Sequence, residues 1–193
     1  MSVCGVYAFT WHGGSFEVEL RPTGEFWCRR FPADARWQLD PTDANKLTIQ
    51  WRQFGDYLLD YKQEEQLFRG SVIGKPDAWR TAQLLRPFTP QEELLSASAW
   101  SLSHEGGKSF RVEFHADGHF HAEDYPGHHL WKLEGSAVQI IWGKYGNYDL
   151  TLDVEARQLS GHLRNSPASW RRLDYIERLP AYIFKENSCG HSH

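Results

Sequence analysis

The stretch Phe16-Glu17-Val18-Glu19-Leu20 recurs as Phe110-Arg111-Val112-Glu113-Phe114, 94 positions further along the chain. The same displacement carries Gly24 to Gly118, Phe26 to Phe120, Trp37 to Trp131 and Leu39 to Leu133. After a short deletion the displacement becomes 91, and it carries Ile49 to Ile140, Trp51 to Trp142, Gly55 to Gly146 and Tyr57 to Tyr148. Leu59 then matches Leu150, Gly70 matches Gly161, Pro76 matches Pro167, and Trp79-Arg80 matches Trp170-Arg171. Matches that keep their order and fall on Gly and aromatic positions mark a tandem duplication. The repeats are read as 1–88 and 98–184, with a connector at 89–97 and a flexible tail at 185–193. Whether the halves form one barrel or two stays open.

Within each repeat the alternation of Phe16, Val18 and Leu20 with Glu17, Glu19 and Arg21 has the period of a strand with one buried face. The next strand puts Phe26 and Cys28 on one face and Glu25, Trp27 and Arg29 on the other. A two-residue turn would set Leu20 against Glu25, apolar against polar. A three-residue loop, Pro22-Thr23-Gly24, sets Leu20 against Phe26, and it requires Gly24 in the left-handed region. Ala116-Asp117-Gly118 obeys the same parity and sets Phe114 against Phe120. Further strands are predicted at 37–39, 47–51, 56–61 and 67–73, with counterparts near Trp131, Ile140, Tyr148 and Leu159. Thr89-Pro90-Gln91-Glu92-Glu93-Leu94-Leu95 reads as a helix near 90–96, with a capping Thr, Pro at its first position and acids in its first turn. The fold class is therefore all-β, an antiparallel barrel built from two homologous halves.

Composition agrees and narrows the function. The 193 residues are 15% aromatic, with nine Trp, eight Tyr and eleven Phe against one Met, the balance that suits pleated surfaces. A net charge of −4 without a basic block argues against nucleic acid as a partner. No apolar run reaches the roughly 20 residues of a membrane helix, and the N-terminus lacks a leader pattern. Three widely spaced cysteines, Cys4, Cys28 and Cys189, suit reduced thiols and a cytoplasmic location. No nucleophile elbow, phosphate loop, zinc-protease motif or dinucleotide fingerprint is present, so the reading leans away from an enzyme.

Gly-x-Tyr at Gly55 and Gly146, an apolar strand carrying Gly70 or Gly161, and then Trp79-Arg80 or Trp170-Arg171, resemble the strand texture of calycin barrels, the lipocalin and avidin group. The early Gly-x-Trp signature of lipocalins is missing at Val6-Tyr7-Ala8-Phe9. The resemblance implies a small-molecule cavity inside a barrel.

Three sets of residues are candidates for function. Seven histidines fall in the second repeat, and the derived register sets His115 against His119 and Glu113 against His121. Three imidazoles and a carboxylate on one face suit a divalent cation such as Zn, Fe, Cu or Ni, so a metal-binding protein or metal-dependent enzyme is the alternative function. His119-x-His121 also resembles the His-x-His strand of cupins, but Glu123 follows too soon and no later Pro-x-Gly-x-x-His run exists. Trp11, Trp27 and Trp100 have no Trp counterpart and are read as ligand-binding or partner-binding residues. The shared pairs Trp37/Trp131, Trp51/Trp142 and Trp79/Trp170 are expected in the core, with Arg80 and Arg171 lying over a ring or tying down a strand end. The leading reading is a non-enzymatic barrel that binds a small apolar or aromatic ligand, or docks to a larger assembly. An apolar cavity between the halves would favour the ligand, and a filled interior with an exposed Trp patch would favour docking.

Overall fold

The computed structural model describes residues 3–180, which divide near Pro87 and Phe88 into two compact units. The predicted tail, with Cys189, lies outside the described residues. In the first unit, β1 (Gly5–Trp11), β2 (Gly14–Leu20), β3 (Phe26–Trp27), β4 (Ala35–Asp40), β5 (Asp43–Trp51), β6 (Gly55–Lys62), β7 (Leu67–Val72) and β8 (Lys75–Pro87) form one antiparallel sheet. Its order is β3-β2-β1-β8-β7-β6-β5-β4. The end strands meet at a bridge between Glu25 and Arg36, beside a bond from the Trp37 amide to the Gly24 carbonyl of 2.8 Å.

The second unit opens with α1 (Pro90–Leu95). The Thr89 hydroxyl accepts from the Glu92 amide at 3.2 Å, while the Thr89 amide donates to the Glu92 carboxylate at 2.8 Å. This reciprocal cap satisfies two donors that a helix start would otherwise leave bare. Eight strands follow: β9 (Ser98–His104), β10 (Ser109–Phe114), β11 (His119–Ala122), β12 (His129–Glu134), β13 (Ala137–Ile141), β14 (Asn147–Asp153), β15 (Gln158–Leu163) and β16 (Ser166–Arg178). They close into a barrel in chain order, β16 pairing back onto β9. Each unit has its own core, and α1 contributes the fully buried Leu95 to the second.

The derived hairpin register holds in both units. Leu20 pairs with Phe26 and Phe114 with Phe120, all four buried. Gly24 and Gly118 take φ of +82° and +88°, where an L side chain is strained. The close approach behind Gly70 and Gly161 has a different cause. A Cβ there would collide with the carbonyl oxygens of Leu58 and Asp149, so both strands need glycine where the sheet wraps.

The seam between the end strands differs. His119–Leu130 and Phe120–His129 pair in the second unit. In the first, Glu25–Arg36 repeats the former pair, while Phe26 and Ala35, which correspond to Phe120 and His129, make no such pair.

The expected burial of the shared tryptophans needs one correction. Trp51 and Trp142 are buried and Trp37 and Trp131 half-buried, but Trp79 and Trp170 are 42% and 44% exposed on the outer wall. They stand opposite Ser71 and His162, which share that outward face. Strand parity decides it: the neighbouring Arg80 and Arg171 pair with the wrapped Gly70 and Gly161 and point the other way. Among the described residues no helix is long and apolar enough to cross a membrane.

Candidate functional site

Alternation in the first hairpin sends Phe9 and Phe16 inward as a pair, and Trp11 follows on the same face as β1 ends. Trp51 closes β5, Phe54 lies in the next turn, and Phe31 comes from the β3–β4 connection. These rings meet edge to face or tilted, with centroids 5.0 Å apart for Phe16–Phe31, 5.2 Å for Trp11–Phe16 and 4.6 Å for Trp51–Phe54. Between them lies a cavity of about 220 Å³, open on one side and completed by Tyr57 and Arg80. Larger hollows of about 250 and 380 Å³ lie along β4 and β5, but their linings are mostly polar side chains such as Arg36 and Gln50.

The polar groups of the cavity are few. The Arg80 guanidinium lies 5.4 Å from the Tyr57 ring centre and donates to the carbonyls of Trp79 at 2.8 Å and Ala78 at 3.3 Å. The Tyr57 hydroxyl donates to the Phe54 carbonyl at 2.8 Å. Burial pushes its pKa up, against the opposing pull of Arg80, so it stays a neutral donor. The indole Nε1 of Trp51 is buried and has no hydrogen-bond partner, a cost of about 1–3 kcal/mol unless something supplies an acceptor.

The second barrel repeats this box almost ring for ring. Tyr125 stands for Phe31, Trp142 for Trp51, Tyr145 for Phe54, Tyr148 for Tyr57 and Arg171 for Arg80, and Trp142 Nε1 again lacks a partner. Phe110–Tyr125 and Tyr125–Tyr145 centroids are 5.0 and 5.1 Å apart. Leu102 stands for Phe9 and His104 for Trp11, and the other differences are polar. His129 replaces Ala35 and is buried, with Nε2 donating to the Tyr125 carbonyl at 2.8 Å and its ring 6.1 Å from those of Trp142 and Tyr145. A carbonyl only accepts, so Nε2 carries a proton, while the buried Nδ1 has no hydrogen-bond partner. Arg171 lies over Tyr148 at 4.9 Å, donates to its hydroxyl at 3.2 Å, and pairs with Glu105 at 2.7 Å. The Glu105 carboxyl is held below its ordinary value, first by a backbone amide and also by Arg171.

The expected three-histidine centre does not assemble. His115 Nε2 and His121 Nδ1 lie 3.2 and 4.0 Å from the same Glu113 oxygen, as the register required for Glu113 and His121. His119 instead turns to Asp117, 3.0 Å away, and its ring neighbours His128. The Asp117 carboxylate already accepts from the His119 amide at 3.0 Å across the turn, and this draws the imidazole with it. Among the described residues no group of three or more His, Cys, Asp or Glu is placed to hold a metal ion.

The three unmatched tryptophans go to three different places. Trp11 lines the cavity. Trp27 is half-buried on the outer face beneath the Arg21 guanidinium, 4.6 Å from its ring. Trp100 is wholly buried in the second core, donates to the Ser98 hydroxyl at 2.7 Å, and offers no surface for docking. It pairs with Val112 on the inward face of β9, which is why it is enclosed.

No family model and no curated protein sequence matches the chain. The duplication itself therefore supplies the comparison. It also shows which site residues the sequence reading passed over: Phe31 and Tyr125 stand 94 positions apart, and Phe54 and Tyr145 stand 91 apart. Extending the displacement to unlike aromatics would have found them.

Proposed function

We propose that the protein is a non-enzymatic binding protein whose first barrel holds a small apolar or aromatic molecule in its mouth. The observation that carries this is the aromatic cavity of about 220 Å³ with Trp11 on its wall. An apolar cavity of roughly 150 Å³ is enough for benzene, and drug-sized ligands take roughly 300–1,000 Å³, so the fit is a molecule of one or two rings. A meander of eight strands wrapped on itself is also how calycin barrels hold ligands, which supports the calycin-like reading. Buried Cys28, which forms no disulfide, supports a reducing, cytoplasmic setting.

Titration with 2-naphthol, followed by tryptophan fluorescence, tests the reading. Saturable quenching is expected, weakened about tenfold by Trp11→Ala, since one lost aromatic contact is worth roughly 1.4 kcal/mol, and unchanged by Trp27→Ala. Absence of saturation, or equal loss in both variants, would overturn it.

A further inference from the structure

The two mouths share most of their rings, with Leu102 and His104 standing for Phe9 and Trp11, and they differ in their charges. Counting on from the equivalent inward residues Phe9 and Leu102, which pair with Phe16 and Phe110, His12 occupies the position of Glu105. At the displacement of 94, Arg29 and Arg30 occupy the positions of Glu123 and Asp124. Three positions at this end thus carry acids in the second barrel and bases in the first.

The consequence falls on the shared arginine. In the second barrel the Arg171 guanidinium meets the Glu105 carboxylate at 2.7 Å. In the first, the described partners of Arg80 are the Ala78 and Trp79 carbonyls and the Tyr57 ring, none of them a carboxylate. Arg80 is half-buried and lines the cavity, and Arg30 lies 5.3 Å from the ring of Phe31 on its wall. A guanidinium taken partly out of water favours an anion that meets its planar fork.

We propose that the ligand of the first barrel is an aromatic carboxylate, its anion pairing with Arg80 as the Glu105 carboxylate pairs with Arg171. This rests on the ligand-binding reading and specifies the chemical class. Glu105 is in this sense the second barrel's built-in counterpart of the ligand's acid group. His12, exposed beside the mouth, leaves that place without a carboxylate.

The test compares 2-naphthoate with 2-naphthamide, equal in shape and unlike in charge, at neutral pH. Wild type should bind the naphthoate at least about tenfold more tightly, a charge-assisted contact of roughly 1.4 kcal/mol. Arg80→Gln should bring the ratio to about one. His12→Glu, a surface change that leaves Arg80 and its packing in place, should do the same by supplying the internal carboxylate, with naphthamide affinity unchanged. Equal affinities in wild type, or a ratio that survives His12→Glu, would overturn the carboxylate assignment while leaving the cavity as a binding site. Binding of neither compound would overturn the ligand-binding reading and this assignment with it.

Discussion

The outer faces of the two equivalent hairpins show how far one backbone can be re-clothed. In the first, Arg21 is buried between Glu19 at 2.8 Å and Glu25 at 2.9 Å, with Trp27 against its flat side. In the second, the same four positions hold His115, Glu113, His119 and His121, an open group in which two imidazoles share one carboxylate and the third turns away. Beneath them the scaffold is the same. Trp37 Nε1 donates to the Arg21 carbonyl at 3.0 Å, and Trp131 Nε1 to the His115 carbonyl at 2.8 Å. The core pair Phe26 and Phe120 and the tie from Trp37 or Trp131 to the turn are kept in both barrels. The charged outer positions of the hairpin have drifted.

That division can be broken by substitution, beginning with the positions both barrels keep. Phe120→Ala should cost about 3–5 kcal/mol, as large-to-small changes in cores do, visible as an early transition of the second unit in denaturant unfolding. A loss below about 1 kcal/mol would mean that this face does not carry the core. Next comes the hairpin contrast. Arg21→Ala should destabilise the first unit by about 2–3 kcal/mol, because it leaves two half-buried carboxylates without their charged partner. His115→Ala should fall within about 0.5 kcal/mol. Equal costs would remove the distinction between a clamp and a solvated face.

The tryptophan pairs sharpen the same point at lower amplitude. Trp37→Phe and Trp131→Phe keep the ring and remove the donor, and each should cost about 1 kcal/mol. Trp79→Ser and Trp170→Ser should be near neutral, within about 0.5 kcal/mol, because both rings stand on the outer wall. The smallest effect concerns pH. Burial pushes the Asp117 carboxyl up, but the amide and imidazole of His119 outweigh it and hold it below its ordinary value. A depressed carboxyl adds stability above its unfolded value, and that stability is lost as pH falls through the folded one. His119→Gln should therefore raise the Asp117 titration midpoint in carboxyl NMR. Thr23 stands at this position in the first barrel, so this turn contributes no such acid limb there.

The duplication, the hairpin register, both left-handed glycines and the capped helix were legible because each is a local rule written twice. Phe114 opposite Phe120 follows from parity alone. The long strands β8 and β16 were not legible, since their exposed apolar residues, such as Leu85 and Ile176, break the two-residue alternation. The exposure of Trp79 and Trp170 was hidden for a related reason: retention in both halves marks importance, but only parity against Gly70 and Gly161 gives the face. The cavity was hidden because its walls come from β1, β2, β5, β6, β8 and two connections. The His119 side chain escaped because register fixes where a Cβ sits and not which carboxylate a ring will choose.

On the proposed reading, the first mouth receives a ligand and the second is completed by its own side chains. Indole N–H resonances of uniformly ¹⁵N-labelled protein, assigned by Trp→Phe substitution and followed through a titration with 2-naphthoate, test it directly. Saturating shifts are expected at Trp11 and Trp51, with Trp142 and Trp131 unmoved. Shifts at Trp142 with Trp51 silent, or no saturating shift at any of the nine tryptophans, would contradict it.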